Sequence, residues 1–159
     1  MKGWLLDTNV VAELTRDRCD ARVRAWAEAQ NERYLFISVL TLGEYRKGIA
    51  NLPEGDPAGA RYQEMLDRLQ ERFGERVIAV TDDVAIWWGM ISGTVKRLTG
   101  HPPAVIDTLL AATAIRRKLH FATRNVKDVQ HSGASVFNPW SDDPGQFPVL
   151  RSRSRATRE

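Results

Sequence analysis

The sequence has 159 residues, 43% of them hydrophobic, with 23 Lys or Arg against 20 Asp or Glu, a size and balance that suit one compact domain. No apolar run approaches the roughly 20 residues that cross a bilayer, and Asp7 interrupts Trp4-Leu5-Leu6, so neither membrane helix nor secretory leader is expected and the cytoplasm is the expected compartment. The net charge of +3 belongs to the last nine residues, where Arg151, Arg153, Arg155 and Arg158 oppose Glu159, leaving 19 bases and 19 acids in residues 1–150. Basicity therefore says little about the folded body.

In chain order, short apolar segments alternate with longer amphipathic ones, the pattern of βα units in a parallel sheet. A strand at residues 3–6 leads to a helix from about Asn9, and a strand at 34–37 leads to a helix through Gly48. A connector with Pro53, Gly55 and Pro57 precedes a helix over 60–73, where Met65, Leu66, Leu69 and Phe73 recur at helical spacing and Gly74 supplies the stop. Residues 76–80 read as a short or edge strand. Asp82 or Asp83 is expected to cap the next helix, which runs through Leu98 to Gly100.

After His101-Pro102-Pro103, residues 104–119 form the most apolar helix, and strands at 120–123 and 135–137 complete a four- to five-stranded sheet with helices on both faces. The fold class is α/β. Beyond Trp140 the composition turns to Asp, Pro, Gly, Ser and Arg, so residues 141–159 are expected to form a flexible basic tail. The lone Cys19 has no thiol with which to form a disulfide or a zinc site, fits a reducing compartment and reads as incidental.

In an open parallel sheet, functional groups collect beyond the carboxyl ends of the strands. Asp7 follows the first strand, Glu44 lies near the start of the second helix, Asp107 in the first turns of the apolar helix, and Asp128 past the strand ending at Thr123. Each acid also has a structural explanation. Asp7 would cap its helix, Glu44 would close the capping box Thr41-Leu42-Gly43-Glu44, and Asp107 would complement a helix dipole. A carboxylate on so apolar a helix as that of Asp107 is nevertheless costly without a cation or hydrogen bonds. Converging carboxylates raise one another's pKa unless a cation sits among them, and hard oxygen ligands favour Mg²⁺ or Mn²⁺ over zinc.

Leu5-Leu6-Asp7-Thr8-Asn9-Val10, the segment Ile37 to Glu44, the segment Val105 to Ala114, Ala122-Thr123-Arg124-Asn125 and Phe137-Asn138-Pro139-Trp140 together resemble the successive motifs of PIN-domain toxins, the ribonuclease half of VapBC-type toxin–antitoxin pairs. The resemblance spans residues 3–140. It implies a three-layer αβα fold with a PIN-like nuclease domain over 1–140, and Mg²⁺- or Mn²⁺-dependent endonuclease action on RNA. It further implies neutralisation by a cognate antitoxin and assembly as a homodimer. By the same resemblance Asp7 and Asp107 are metal ligands and Glu44 holds metal or water. The fourth acid is open between two positions. Some members of the family have it directly after the Thr-Arg pair, where this chain has Asn125, and others three residues later, at Asp128, which is taken here as the ligand. Thr8, Asn9, Thr123 and Asn125 are supporting polar groups.

His101 beside two prolines, His120 opening a strand and His131 in a late loop are poorly placed as general bases. Trp87 and Trp88 fit core or subunit contact, and Arg124 fits either a phosphate contact or a solvated strand end. Glu13, Arg16, Arg46 and Lys47 line the crevice or form solvated faces. A haloacid-dehalogenase-like phosphatase also places an aspartate after its first strand, but needs a second aspartate where this chain has Asn9. A non-catalytic PIN module that binds RNA or protein is the other alternative, against which stand Asp7, Glu44 and Asp107.

Overall fold

The computed structural model describes residues 1–150. One sheet is formed by β1 (Trp4–Leu6), β2 (Leu35–Ser38), β3 (Val77–Ile78), β4 (His120–Ala122) and β5 (Val136–Phe137), all parallel and in the order β3-β2-β1-β4-β5. Leu5 pairs with Phe36 on one side and Phe121 on the other. Successive residues point to opposite faces, and because both faces are covered the strands read as unbroken apolar runs.

Trp4, Leu6, Leu35, Ile37, Ala122 and Phe137 pack on one side against α1 (Thr8–Leu14), α2 (Ala21–Glu28) and α4 (Ala58–Phe73), with Leu42 and Tyr45 of α3 (Val39–Ala50) joining them. Leu5, Phe36, Phe121 and Val136 pack on the other side against Leu110, Ala111 and Ala114 of α6 (Val105–Arg117) and Val129 of α7 (Val126–Val129). The remaining helix, α5 (Asp82–Thr99), rests on α6 through Val84, Ile91, Val95 and Ala112. Three layers result, as expected.

Two glycines are required by geometry. A Cβ on Gly3 would sit 2.3 Å from the Tyr34 carbonyl oxygen, so only glycine lets the chain pass so close to the start of β2. Gly100, at φ 81°, ends α5 in the left-handed conformation, its N–H bonded to Lys96 O at 2.8 Å.

The first predicted helix is two helices, since residues 15–20 break between α1 and α2. Glu13 ties this corner together by accepting from Asp20 N at 2.7 Å. The cap of α5 is Thr81 rather than Asp82 or Asp83; the Thr81 hydroxyl donates to Asp83, which also accepts from Arg116 at 2.9 Å.

Residues 141–150, expected as part of a flexible tail, instead return across the fold. Trp140, Phe147 and Val149 pack against the core that contains Trp4, and the Phe147 ring lies 5.0 Å from that of Phe137. Pro148 O is 3.1 Å from His120 Nε2, and Leu150 N donates to Met1 O at 2.8 Å. A few well-spaced apolar side chains anchor a segment whose average composition is polar. Residues 151–159, the arginine-rich part of the expected tail, lie outside the described residues.

Candidate active site

Asp7 terminates β1. Its N–H continues the ladder to Ala122 O at 2.9 Å, and its carboxylate sits at the carboxyl end of the sheet with only 4% of the residue exposed. Oδ1 accepts from Thr8 N at 2.7 Å, while Oδ2 accepts from Asn9 Nδ2 at 2.8 Å and from Thr123 Oγ1 at 2.6 Å. Thr123, just past β4, also accepts from Asn125 N at 2.9 Å, which fixes the hydroxyl as a donor toward Asp7. Asp7 thus caps α1, as the structural explanation held, yet that contact uses only one of its two oxygens.

Glu44 lies in the second turn of α3, whose cap is Ser38, with Leu40 N donating to Ser38 Oγ at 3.1 Å; the capping-box explanation of Glu44 fails. Its Oε2 accepts from Thr8 Oγ1, which lies 3.1 Å from the buried Thr41 Oγ1. Asp107 is in the first turn of α6 and half-buried. Asp128 is exposed on α7, where it makes no side-chain cap.

Electrostatics links the four acids. Burial pushes the Asp7 carboxyl up to about 6, the Thr123 hydrogen bond opposes that shift, and the charges of Asp107 and Glu44 add to it. The Asp107 carboxyl is also raised, first by burial, then by the charges of Asp128 and Glu44, with a hydrogen bond from the Asn125 side chain acting against them. Asn125 therefore lies on the side of Asp107 that favours its charged form, and Asp128 is the neighbouring negative charge. None of the five ion pairs among the described residues includes any of these four carboxylates.

Among the described residues no three acidic, histidine or cysteine side chains are drawn together as a closed metal cage. The donors nevertheless fit a hard divalent cation, because they are all oxygens and the buried Asp7 carboxylate lacks a cationic partner. Such a cation would lower the raised pKa values that burial and like charge impose.

The remaining candidates separate clearly. His120 is buried at the opposite end of the strands, its Nδ1 2.7 Å from Ser135 Oγ, and burial lowers its pKa; His101 and His131 are exposed in loops. Trp88 donates to Thr108 Oγ1 at 3.1 Å, and both Trp87 and Trp88 pack against the α5–α6 core. Arg124 is exposed and lies 5.1 Å from the Trp140 ring centre. Glu13 is buried and paired with Arg16 at 3.1 Å, and Arg46 bonds Gln63 at 2.6 Å.

Two features escaped the sequence. Thr41 lies one helical turn before Glu44 and meets Thr8, a relation that the spacing allows but does not select. An open groove of about 660 Å³ also begins at Thr8 and Glu44 and extends to Tyr45, Arg61 and Tyr62. No sequence signal brings α3 and α4 residues to one wall.

Residues 4–128 match the PIN domain model. The chain belongs to the PIN-domain family. It is 31% identical over 138 residues to Toxin FitB of Neisseria gonorrhoeae (strain ATCC 700825 / FA 1090), covering 87% of this chain and 99% of that protein. It is 29% identical over 136 residues to VapC ribonuclease Y4jK of Sinorhizobium fredii (strain NBRC 101917 / NGR234), covering 86% and 96%. A solved structure of FitAB bound to an IR36 DNA fragment superposes with a TM-score of 0.78 at 30% identity, over 88% of this chain and 97% of that one.

Proposed function

We propose that this protein is a divalent-metal-dependent endoribonuclease and the toxin of a type II toxin–antitoxin pair. The observation that carries the reading is the Asp7 carboxylate, buried, held by three hydrogen bonds, raised to about 6 and without a counter-charge beside Asp107 and Glu44. The likeness to a protein called VapC ribonuclease and to one called Toxin FitB supports the substrate class and the toxin role.

Asp7, Glu44, Asp107 and Asp128 would hold Mg²⁺ or Mn²⁺. When bound, such a cation supplies Lewis acidity and charge neutralisation for phosphodiester hydrolysis. Asn9 and Thr123 fix both the position and the rotamer of Asp7, and Thr8 orients Glu44. The phosphatase alternative gains nothing from the geometry, because Asn9 donates to Asp7 and is not a second acid.

The cognate antitoxin is the proposed protein partner, since one relative is called Toxin FitB and the solved relative at 30% identity is a FitAB assembly bound to DNA. A second copy of the chain is the other, with Ile86, Met90 and Val105 exposed on α5 and α6. No helix among the described residues is long and apolar enough to cross a membrane, and we place the action in the cytoplasm. The test is cleavage of RNA by the purified chain with Mg²⁺ or Mn²⁺ and its arrest by EDTA. Equal cleavage in metal and in chelator would remove the acids from the mechanism.

A further inference from the structure

Beside the acids, three helices leave a trough that the chemistry above does not use. The end of α1 forms one wall with Thr15 and Arg16, α3 forms the floor with Tyr45 and Gly48, and α4 forms the rim with Arg61 and Tyr62. Its volume is about 660 Å³, and it shares Thr8 and Glu44 with the acid site. A group bound here lies against the Glu44 carboxylate.

The walls are of two kinds. The Tyr45 side chain is half-buried in the wall beside Thr15. Thr15 is itself held by donating to Ala12 O at 2.8 Å. The Tyr62 ring, in contrast, is 45% exposed on the rim, and Arg61 forms no ion pair or hydrogen bond among the described residues. Arg16 turns a side chain that is 66% exposed toward solvent. Glu44 is the only acid on these walls, and it lies at the end that meets the active site.

We infer that this trough is a nucleobase subsite, which seats an unpaired base of the RNA next to the phosphate under attack. The inference rests on the ribonuclease reading for its polymer, and on the trough for its chemistry. An exposed aromatic ring such as Tyr62 takes the π-face of any base, and the unpaired Arg61 beside it meets a flanking phosphate. The acid cluster alone repels a polyanion, so affinity for RNA has to come from groups of this kind nearby. Gly48 keeps the floor open: a Cβ placed there meets no atom within 4 Å. Stacking on a ring face needs a base whose own face is free, so the subsite would select single-stranded or looped RNA.

The experiment is equilibrium binding in EDTA, where no cleavage occurs, followed by anisotropy of two labelled probes: hexa-adenylate RNA and an abasic ribose–phosphate oligomer of the same length. Tyr62→Ala and Gly48→Leu should each weaken hexa-adenylate binding by about tenfold, the scale of one lost stacking contact. Tyr62→Phe should restore it, because stacking needs the ring and not the hydroxyl. The abasic oligomer should bind all four proteins alike. Unfolding midpoints near that of the parent chain show that the loss is not one of folding, and Gly48→Leu adds bulk only to open space. Unchanged hexa-adenylate binding in both variants overturns the subsite, as does an equal loss on both probes. Because the readout is binding, failure of metal-dependent cleavage would overturn the ribonuclease reading and leave this result standing.

Discussion

Asp7 offers the most direct measurement of what the site lacks. A carboxyl whose folded pKa lies above its unfolded value holds its proton more tightly in the folded chain. Between about pH 4 and 6 the folded state therefore binds more protons than the unfolded one, and stability falls as pH rises through that window. The displacement from the ordinary 3.8 to about 6 corresponds to about 3 kcal/mol at 1.36 kcal/mol per pH unit. That is an upper value, since the charges of Asp107 and Glu44 titrate alongside. Replacing Asp7 by Asn removes the proton but also leaves the Asn9 amide or the Thr123 hydroxyl with a poorer partner, at about 1–3 kcal/mol that does not vary with pH. The difference between parent and Asp7→Asn should accordingly swing by up to about 3 kcal/mol in favour of the variant from pH 4 to pH 7. Urea unfolding in EDTA at successive pH values measures it. Millimolar Mn²⁺ at pH 7 should then stabilise the parent and leave the variant almost unmoved. Parallel stability curves for the two proteins would refute the argument that Asp7 is a buried charge without compensation.

Asp107→Asn should lose at least two orders of magnitude in Mg²⁺-dependent RNA cleavage while keeping its unfolding midpoint; near-normal turnover would take Asp107 out of the site. Asp128→Asn should weaken Mn²⁺ affinity with little change in stability, because Asp128 is exposed and caps nothing yet its charge reaches Asp107; superimposable calorimetric isotherms would exclude it as the fourth acid. Removing residues 151–159 takes the net charge from +3 to zero. If its four arginines contact phosphates, the log–log salt dependence of single-stranded RNA binding should become shallower by up to about 3, and an identical slope would show that the segment takes no part.

The fold was legible where local pattern and burial agree. Strands covered on both faces read as apolar runs, and α6 carries small and apolar residues because it packs on both the sheet and α5. The acids at strand ends were legible from topology alone, since the parallel order puts Asp7 and Thr123 side by side at the ends of β1 and β4. Three things were not legible. The break between α1 and α2 depends on Glu13 reaching Asp20 N, a tertiary hydrogen bond. The docking of residues 141–150 depends on Phe147 meeting Phe137 and Trp4, which composition averages away. Thr41 and the wall formed by Tyr45 and Tyr62 depend on how α3 and α4 lie against α1, and periodicity within one helix carries no information about the angle between two.

The choice between Asn125 and Asp128 illustrates the same limit. As sequence, both positions were open for a fourth acid. In the fold the two positions differ in setting: the Asn125 N–H donates to the Thr123 hydroxyl that holds Asp7, while Asp128, three residues on in α7, is exposed and its charge reaches Asp107. An acid at 125 would place another negative charge against an Asp107 already raised by burial and by two neighbouring carboxylates. A neutral amide there relieves the apo site, and the exposed Asp128 supplies the charge from a position where its own desolvation is small. In the proposed site this arrangement would keep four carboxylates available for a cation while limiting the repulsion that the metal-free fold must bear.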